Sequence, residues 1–245
     1  MAKRFYIYVY CLAFLSLFTS FQSNQYSLKG RIKGIDRGWI YIKHRQTNTI
    51  DSALITKGFF EVTGKTETPE FCNLGTGNSG KREFYFGFFL KAGDMTLHAN
   101  KDSLFDAAVR IDGYEVQKEF TRFQIQMRPI DVLSNKIWET EKTNQNQSNL
   151  NLQLKELDAK RKEIIWNYAL QYPDSYITAF EASSYLIEKE DLDKLERIYF
   201  GMNSILRQWY YSVKIKKNLQ ENNRNIGEGR RGCHRFWENT DRIII

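Results

Sequence analysis

The sequence predicts an α+β protein: an antiparallel β-sandwich or partly open barrel of about eight short strands, followed by an α-helical region. Up to Gly113, short runs rich in Tyr, Phe, Ile and Val alternate with glycine and charged turns. After Gly113, apolar residues recur at helical spacing. Hydrophobic residues make up 42% of the 245 residues and aromatic residues 15%, which is enough to bury a core.

Residues 1–23 have the pattern of an export signal. Basic residues at positions 3 and 4 are followed by an apolar core over residues 5–18. That core is shorter than the about 20 apolar residues of a transmembrane helix. We therefore expect export, with cleavage near Gln22 or Ser23 or, as the alternative, an uncleaved signal that anchors the chain.

The β domain is expected over residues 24–113. Lys57-Gly58 and Gly93-Asp94 each lie between two apolar runs, as the turn of a hairpin does. The expected strands are residues 26–32, 38–45, 50–55, 58–65, 70–75, 82–90, 95–100 and 107–112.

The helical region is expected over residues 114–220. Its second helix should end before Pro173, and Asp174 or Ser175 should cap the next helix. A basic tail, residues 221–245, is expected to lack fixed structure. The expected helices are residues 115–130, 150–172, 176–189, 191–200 and 204–220, with an exposed helix end or loop at 142–149.

The charge distribution argues against a nucleic-acid partner. Of the net charge of +7, two positive charges belong to residues 1–23 and an excess of four to residues 214–245. The body between them is left with an excess of one. A nucleic-acid binder would present a basic stripe with aromatic or polar readers, and no such run stands out in the body.

No catalytic, cofactor-binding or metal-binding residues are expected from the motifs. The stretch GTGNSGKR at 75–82 resembles a phosphate-binding loop, but a strand-like run follows it where a helix N-terminus is needed, so we interpret it as a hairpin loop. His44, His98 and His234 are too scattered to predict a ligand set, and no C-x-x-C pair is present.

The remaining polar and aromatic stretches have structural interpretations. The serines near aspartates at 51–56 and 173–176 lack a nucleophile elbow and are interpreted as a surface turn and a helix cap. The mixed charges at 188–197 predict a solvated helix face, and the aromatic cluster at 207–213 predicts core packing. Cys72, in an apolar strand-like run, is expected to be a buried thiol rather than the disulfide partner of Cys233.

Several phrases, in order, resemble the exported domain-of-unknown-function family numbered 4369. They are YSLKGRIKGIDRGWIYI at 26–42, IDSALITKGFFEVTGKTETPEF at 50–71, FFLKAGDMTLHAN at 88–100 and VRIDGYEVQKEFTRF at 109–123. The helical half, with QYPDSYITAF and then SILRQWYYSVKIKKNLQENNRNIG, is similar to the segment that follows in the same proteins. The similarity covers roughly residues 26–227.

In its larger members, the family implies that a thioredoxin-like thiol-disulfide oxidoreductase domain follows, with a Trp-Cys-x-x-Cys site. Residues 225–227 match the opening of that domain, but no C-x-x-C comes after them, and a lone Cys233 cannot replace the pair. The resemblance therefore implies a non-catalytic N-terminal module of a truncated thioredoxin-like protein. It would lie in the periplasm or cell envelope of a Gram-negative bacterium.

Such a module would need no cofactor, and an envelope protein is the partner that this setting suggests. No membrane contact is expected beyond an uncleaved signal. The alternative is a free-standing exported binding or scaffolding protein. It would hold its partner with the loops of the sandwich or in the gap between the sandwich and the helices.

Overall fold

The computed structural model describes residues 24–78, 81–101, 110–141 and 147–225. The chain divides between Gly113 and Tyr114 into two compact units, here called the β unit and the helical unit. The predicted α+β class, with about eight strands followed by helices, is confirmed. The expected export signal and almost all of the expected tail lie outside the described residues.

All eight predicted strands are present in the β unit, and together they form one sheet. The strands are β1 (Gln25–Lys33), β2 (Arg37–His44), β3 (Ile50–Thr56), β4 (Phe59–Lys65), β5 (Glu70–Asn78), β6 (Lys81–Leu90), β7 (Gly93–Asn100) and β8 (Arg110–Asp112). Their order across the sheet is β6-β5-β2-β3-β4-β1-β7-β8.

The sheet curls into a half-barrel, and a short connection explains why. Strands β6 and β7 are six positions apart in the sheet order, which would separate them by about 29 Å in a flat sheet. Only Lys91 and Ala92 connect them, and the step from Leu90 to Gly93 spans at most about 11 Å. The single curled sheet corresponds to the partly open barrel among the predicted alternatives.

The strands alternate between a buried inner face and an exposed outer face. On β1, for example, Leu28 and Ile32 are buried whereas Lys29 and Arg31 are exposed. This period of two gives the sheet one apolar face. One pairing differs from the antiparallel prediction: β1 and β7 run parallel, because β7 returns to the far side of β1 after the sheet has curled.

The helical unit contains six α-helices in its described part. They are α1 (Glu115–Glu141), α2 (Gln147–Gln171), α3 (Tyr176–Tyr185), α4 (Leu192–Gly201), α5 (Ser204–Arg207) and α6 (Tyr210–Asn225), with a 3-10 turn at Lys189–Asp191. Ser175 caps α3, since its hydroxyl accepts a hydrogen bond from the Ile177 amide at 3.0 Å, as the sequence predicted. None of the helices described has the length and hydropathy that crossing a membrane requires.

The single helix predicted over 204–220 is two helices, α5 and α6. Backbone hydrogen bonds between residues three positions apart tighten the chain at the end of α5. There the Trp209 amide donates to the Leu206 carbonyl at 3.0 Å. The break buries Trp209 and Tyr211 together, with ring centroids 4.9 Å apart. Helix α6 then continues to Asn225, five residues into the segment that was expected to be unstructured.

A buried carboxyl lies in the core of the helical unit. Burial raises the pKa of Glu181 to about 8; the nearby Asp131 adds to the increase and Arg161 opposes it. Arg161 itself donates a hydrogen bond to Asp131 at 2.7 Å. Sequence reasoning did not identify this group, because the packing of the helices is what brings Glu181 close to Asp131 of α1 and Arg161 of α2.

Candidate functional site

Five polar side chains meet on the inner face of the β unit, a face that otherwise carries mostly apolar residues. We name this group the His44 cluster; its members are Tyr26, His44, Asp51, Glu70 and Cys72. Four different strands contribute them. Three of its members, His44, Glu70 and Cys72, form the one group of His, Cys, Asp and Glu side chains within the described residues that is arranged closely enough to hold a metal ion.

Strand periodicity and register bring three of these residues together. Ile40, Ile42 and His44 point inward at alternate positions of β2, so the histidine continues an apolar series. His44 lies directly opposite Cys72 of β5, and Glu70 is two residues before Cys72 on the same face. The imidazole is therefore placed beside both a carboxylate and a thiol.

Both ring nitrogens of His44 are bound to carboxylates. Nδ1 lies 2.9 Å from Oε2 of Glu70, and Nε2 lies 3.1 Å from Oδ2 of Asp51. Because ionised carboxylates only accept hydrogen bonds, both N–H groups donate and the ring is an imidazolium. The other oxygen of Glu70 accepts from the Gln46 amide at 2.8 Å, which fixes that carboxylate.

The surroundings favour the charged form of His44. The hydrogen bond to Glu70 is the largest cause that raises its pKa, with Asp51 acting in the same direction and burial opposing both. The histidine is only 3% exposed and Glu70 only 4%, so the pair is shielded from water. An imidazole that donates from both nitrogens has no lone pair for general-base catalysis.

Cys72 is held as an inert thiol. It is fully buried, and its Sγ lies 3.8 Å from Nδ1 of His44. Burial raises the pKa of this thiol, and the negative charges of Glu70 and Asp51 raise it further. The prediction of a buried cysteine is confirmed, whereas Cys233 lies outside the described residues.

A glycine makes room for the outer part of the cluster. In the sheet order β4 lies between β3, which carries Asp51, and β1, which carries Tyr26. The Tyr26 hydroxyl reaches across β4 and donates to Oδ2 of Asp51 at 2.5 Å. A Cβ atom at Gly64 would lie 2.2 Å from that oxygen and 2.7 Å from the tyrosine ring, so a side chain there is incompatible with the bond.

The structure places the other sequence candidates away from this cluster. His98 is exposed on β7, and His234 lies beyond the residues that are described. Of the stretch 75–82, residues 75–78 end β5 and residues 81–82 begin β6, so a strand follows it, as predicted, in place of the helix N-terminus that a phosphate-binding loop needs. Residues 207–213 pack through Trp209 and Tyr211, both buried.

Two interpretations from the sequence need correction. The aspartate of the 51–56 stretch is not in a surface turn: Asp51 lies on β3 and binds His44, because the strand turns it toward the inner face. The 188–197 stretch is not wholly a solvated face, since Asp191 is buried and pairs with Lys162 at 2.7 Å. Both errors arise because residues distant in sequence decide which side of an element is covered.

We predict that Gly64→Ala destabilises the β unit by about 2 kcal/mol, because the new methyl group must displace Asp51 and Tyr26 and break their hydrogen bond. The measurement is urea unfolding of the parent, Gly64→Ala, Tyr26→Phe and the double variant. Tyr26→Phe should lower the free energy of unfolding by clearly less in the Gly64→Ala background than in the parent, since the Tyr26–Asp51 hydrogen bond is already lost there.

Gly201→Ala is the matched control for this experiment. Its added Cβ would meet only Pro173, at 3.8 Å, and it lies in the last turn of α4, so we expect no loss of stability. If the losses of unfolding free energy caused by Gly64→Ala and Tyr26→Phe are strictly additive, Gly64 is not needed for the Tyr26–Asp51 hydrogen bond.

The family comparison concerns the β unit. Residues 26–120 match the family model described as Domain of unknown function (DUF4369). The match covers the eight strands and the beginning of α1. No curated protein matches the chain. Over residues 26–120 the finding supports the resemblance to this domain-of-unknown-function family that the sequence phrases indicated.

Proposed function

We propose that the chain is an exported, non-catalytic module of the kind that accompanies thioredoxin-like domains in the cell envelope. The observation that carries this proposal is the state of Cys72, the one cysteine among the described residues. The match of residues 26–120 to the DUF4369 model supports the family in which this association is expected.

Thiol-disulfide exchange requires an accessible thiolate with a lowered pKa. Cys72 has the opposite properties, since it is fully buried and two nearby carboxylates raise its pKa further. His44 is not arranged to deprotonate it, because both imidazole nitrogens face carboxylates, which raise the pKa of the ring and favour its protonated form. The β unit is thus suited to a structural or binding role beside a redox domain.

We predict that the purified chain reduces insulin disulfides no faster than buffer with the same reductant. Cys72→Ala and Cys233→Ser should leave this background rate unchanged, because neither cysteine has a partner thiol in a C-x-x-C pair. In a Cys11→Ser/Cys233→Ser chain, Ellman's reagent should label Cys72 only after urea unfolds the β unit. Reduction above background that disappears in either single cysteine variant would make the chain an enzyme.

Export is the second part of the proposal, and residues 1–23 support it through their basic start and apolar core. We predict that a fusion of residues 1–30 to alkaline phosphatase, an enzyme active only outside the cytoplasm, gives active cells. Replacing Leu15 and Leu17 with lysine should abolish the activity, because charges interrupt the apolar core. Equal activity of both fusions would contradict export by this segment.

The outer face of the sheet favours a second candidate function, that of a binding protein. Strands β1 to β4 lie wholly within the described residues. Glu61 is the one acidic residue at their outward positions. Six basic residues share those positions, namely Lys29, Arg31, Lys33, Arg37, Lys43 and Lys65. The net charge of the body did not indicate this basic face, because acidic residues elsewhere in the body balance its positive charges.

Large apolar side chains lie among these charges. Trp39 and Tyr41 stack with ring centroids 6.4 Å apart, Leu54 lies opposite Trp39, and all three are more than a third exposed. Phe59 borders a shallow groove next to Leu54, with the Arg31 guanidinium 5.1 Å from its ring. A polypeptide segment that combines acidic and apolar side chains complements this surface in both charge and hydrophobicity.

We predict that the immobilised chain selects such peptides, rich in Asp or Glu together with Leu or Phe, from a random display library. Trp39→Ala and Phe59→Ala should each weaken binding about tenfold, whereas Thr63→Ala, on the same face, should not. Selection of peptides without acidic residues, or retention on anionic phosphatidylglycerol vesicles in place of peptides, would contradict this function.

A further inference from the structure

We propose that the His44 cluster is a zinc site, in which Nδ1 of His44, Oε2 of Glu70 and Sγ of Cys72 bind the ion. This inference is independent of the proposed function, since a bound zinc ion is compatible with either a redox accessory module or a binding protein. It departs from the sequence expectation of no metal site, because that expectation relied on closely spaced ligands.

The distances fit a tetrahedral ion. The three ligand atoms all lie within 4.8 Å of one another, with 2.9 Å between Nδ1 and Oε2 and 3.8 Å between Nδ1 and Sγ. Zinc bonds of about 2.0 to 2.3 Å place neighbouring ligands roughly 3.3 to 3.6 Å apart. The Nδ1–Oε2 and Nδ1–Sγ distances are within about half an ångström of these values. The Oε2–Sγ distance, which is at most 4.8 Å, must shorten by up to about 1.2 Å when the ion binds.

The ligand types select the metal. Thiolate, imidazole and carboxylate are the three groups that zinc accepts in proteins, whereas calcium and magnesium require oxygen ligands. Three protein ligands leave a fourth position for water. All three ligand residues are almost completely buried, which shields the ion from competing chelators.

Groups around the ligands already hold them in place. Oδ2 of Asp51 lies 3.1 Å from Nε2 of His44, so the imidazole keeps a proton on that nitrogen and directs Nδ1 toward Glu70 and Cys72. Tyr26 holds Asp51, and the Gln46 amide holds the second oxygen of Glu70. A carboxylate behind a metal-binding histidine is the arrangement that orients the ring and strengthens the ligand.

Zinc can enter this cluster without adding buried charge. The ion replaces two protons, one from Nδ1 of His44 and one from Sγ of Cys72, and both protons pass to solvent. Before the exchange the imidazolium, the two carboxylates and the neutral thiol carry a net charge of −1. Afterwards the ion, the neutral imidazole, the two carboxylates and the thiolate also carry −1. The side chain of Asp51 is 33% exposed, which provides a route from the solvent.

The test uses the full chain with Cys11→Ser and Cys233→Ser, so that Cys72 is the single thiol. This parent protein is titrated with Co²⁺, a spectroscopic substitute for zinc. We expect one equivalent of Co²⁺ to bind and to produce a sulfur-to-cobalt charge-transfer band in the near ultraviolet. One equivalent of Zn²⁺ should then remove this band by displacing the cobalt. Zinc should also raise the midpoint of thermal unfolding, because it binds only the folded arrangement. Absence of the sulfur band in the parent would overturn the proposal.

Three variants separate the site from adventitious binding. Cys72→Ser should abolish the sulfur band, and Asp51→Asn should keep the band but weaken zinc binding by about 10- to 100-fold. His98→Gln, which removes an exposed histidine of β7, is the matched control and should change neither property. Binding that survives Cys72→Ser but is lost on replacing His98 or His234 would also overturn the proposal. If Cys72→Ser fails to fold, the sulfur band of the parent still decides the matter.

Discussion

The two hydrogen bonds on the imidazole of His44 are the interaction on which the inner face of the β unit depends. Through Glu70 and Asp51 they connect β2 to β5 and β3, and through the Tyr26 hydroxyl they extend to β1. Burying these charges is costly, and the cost is offset only while every partner is present. Removing one member leaves an uncompensated charge in the core, so the cluster specifies one register for these strands.

The curl of the sheet gives its two faces different roles. The two-residue connection between β6 and β7 requires these two strands to approach one another, and the inner face consequently curves around its apolar residues and the His44 cluster. The outer face remains accessible and carries six basic side chains with exposed aromatic rings. A buried polar cluster suits a metal ion, and an open basic and aromatic surface suits a macromolecular partner.

Cys72 links the functional proposals. A thiol that is fully buried between carboxylates cannot exchange with the disulfide of another protein, which is the basis for a non-catalytic role. The same position, opposite His44 and beside Glu70, is suitable for a metal ligand, because an ion can replace the protons that keep the thiol inert. Inertness toward disulfides and competence for zinc thus follow from one geometry.

The sequence by itself determined the strands, most of the helices, the cap at Ser175 and the burial of Cys72, because these depend on local periodicity, turn residues and capping chemistry. An inward histidine at the end of an apolar alternation, and Glu70 and Cys72 on one face of a strand, were visible hints of a polar cluster. Their meeting was decided only by the tertiary structure, since the strand order and register that join β5, β2 and β3 are non-local. The parallel β1–β7 pair, the break between α5 and α6 and the basic outer face were decided in the same way: each depends on which distant residues become neighbours when the sheet curls and the helices pack.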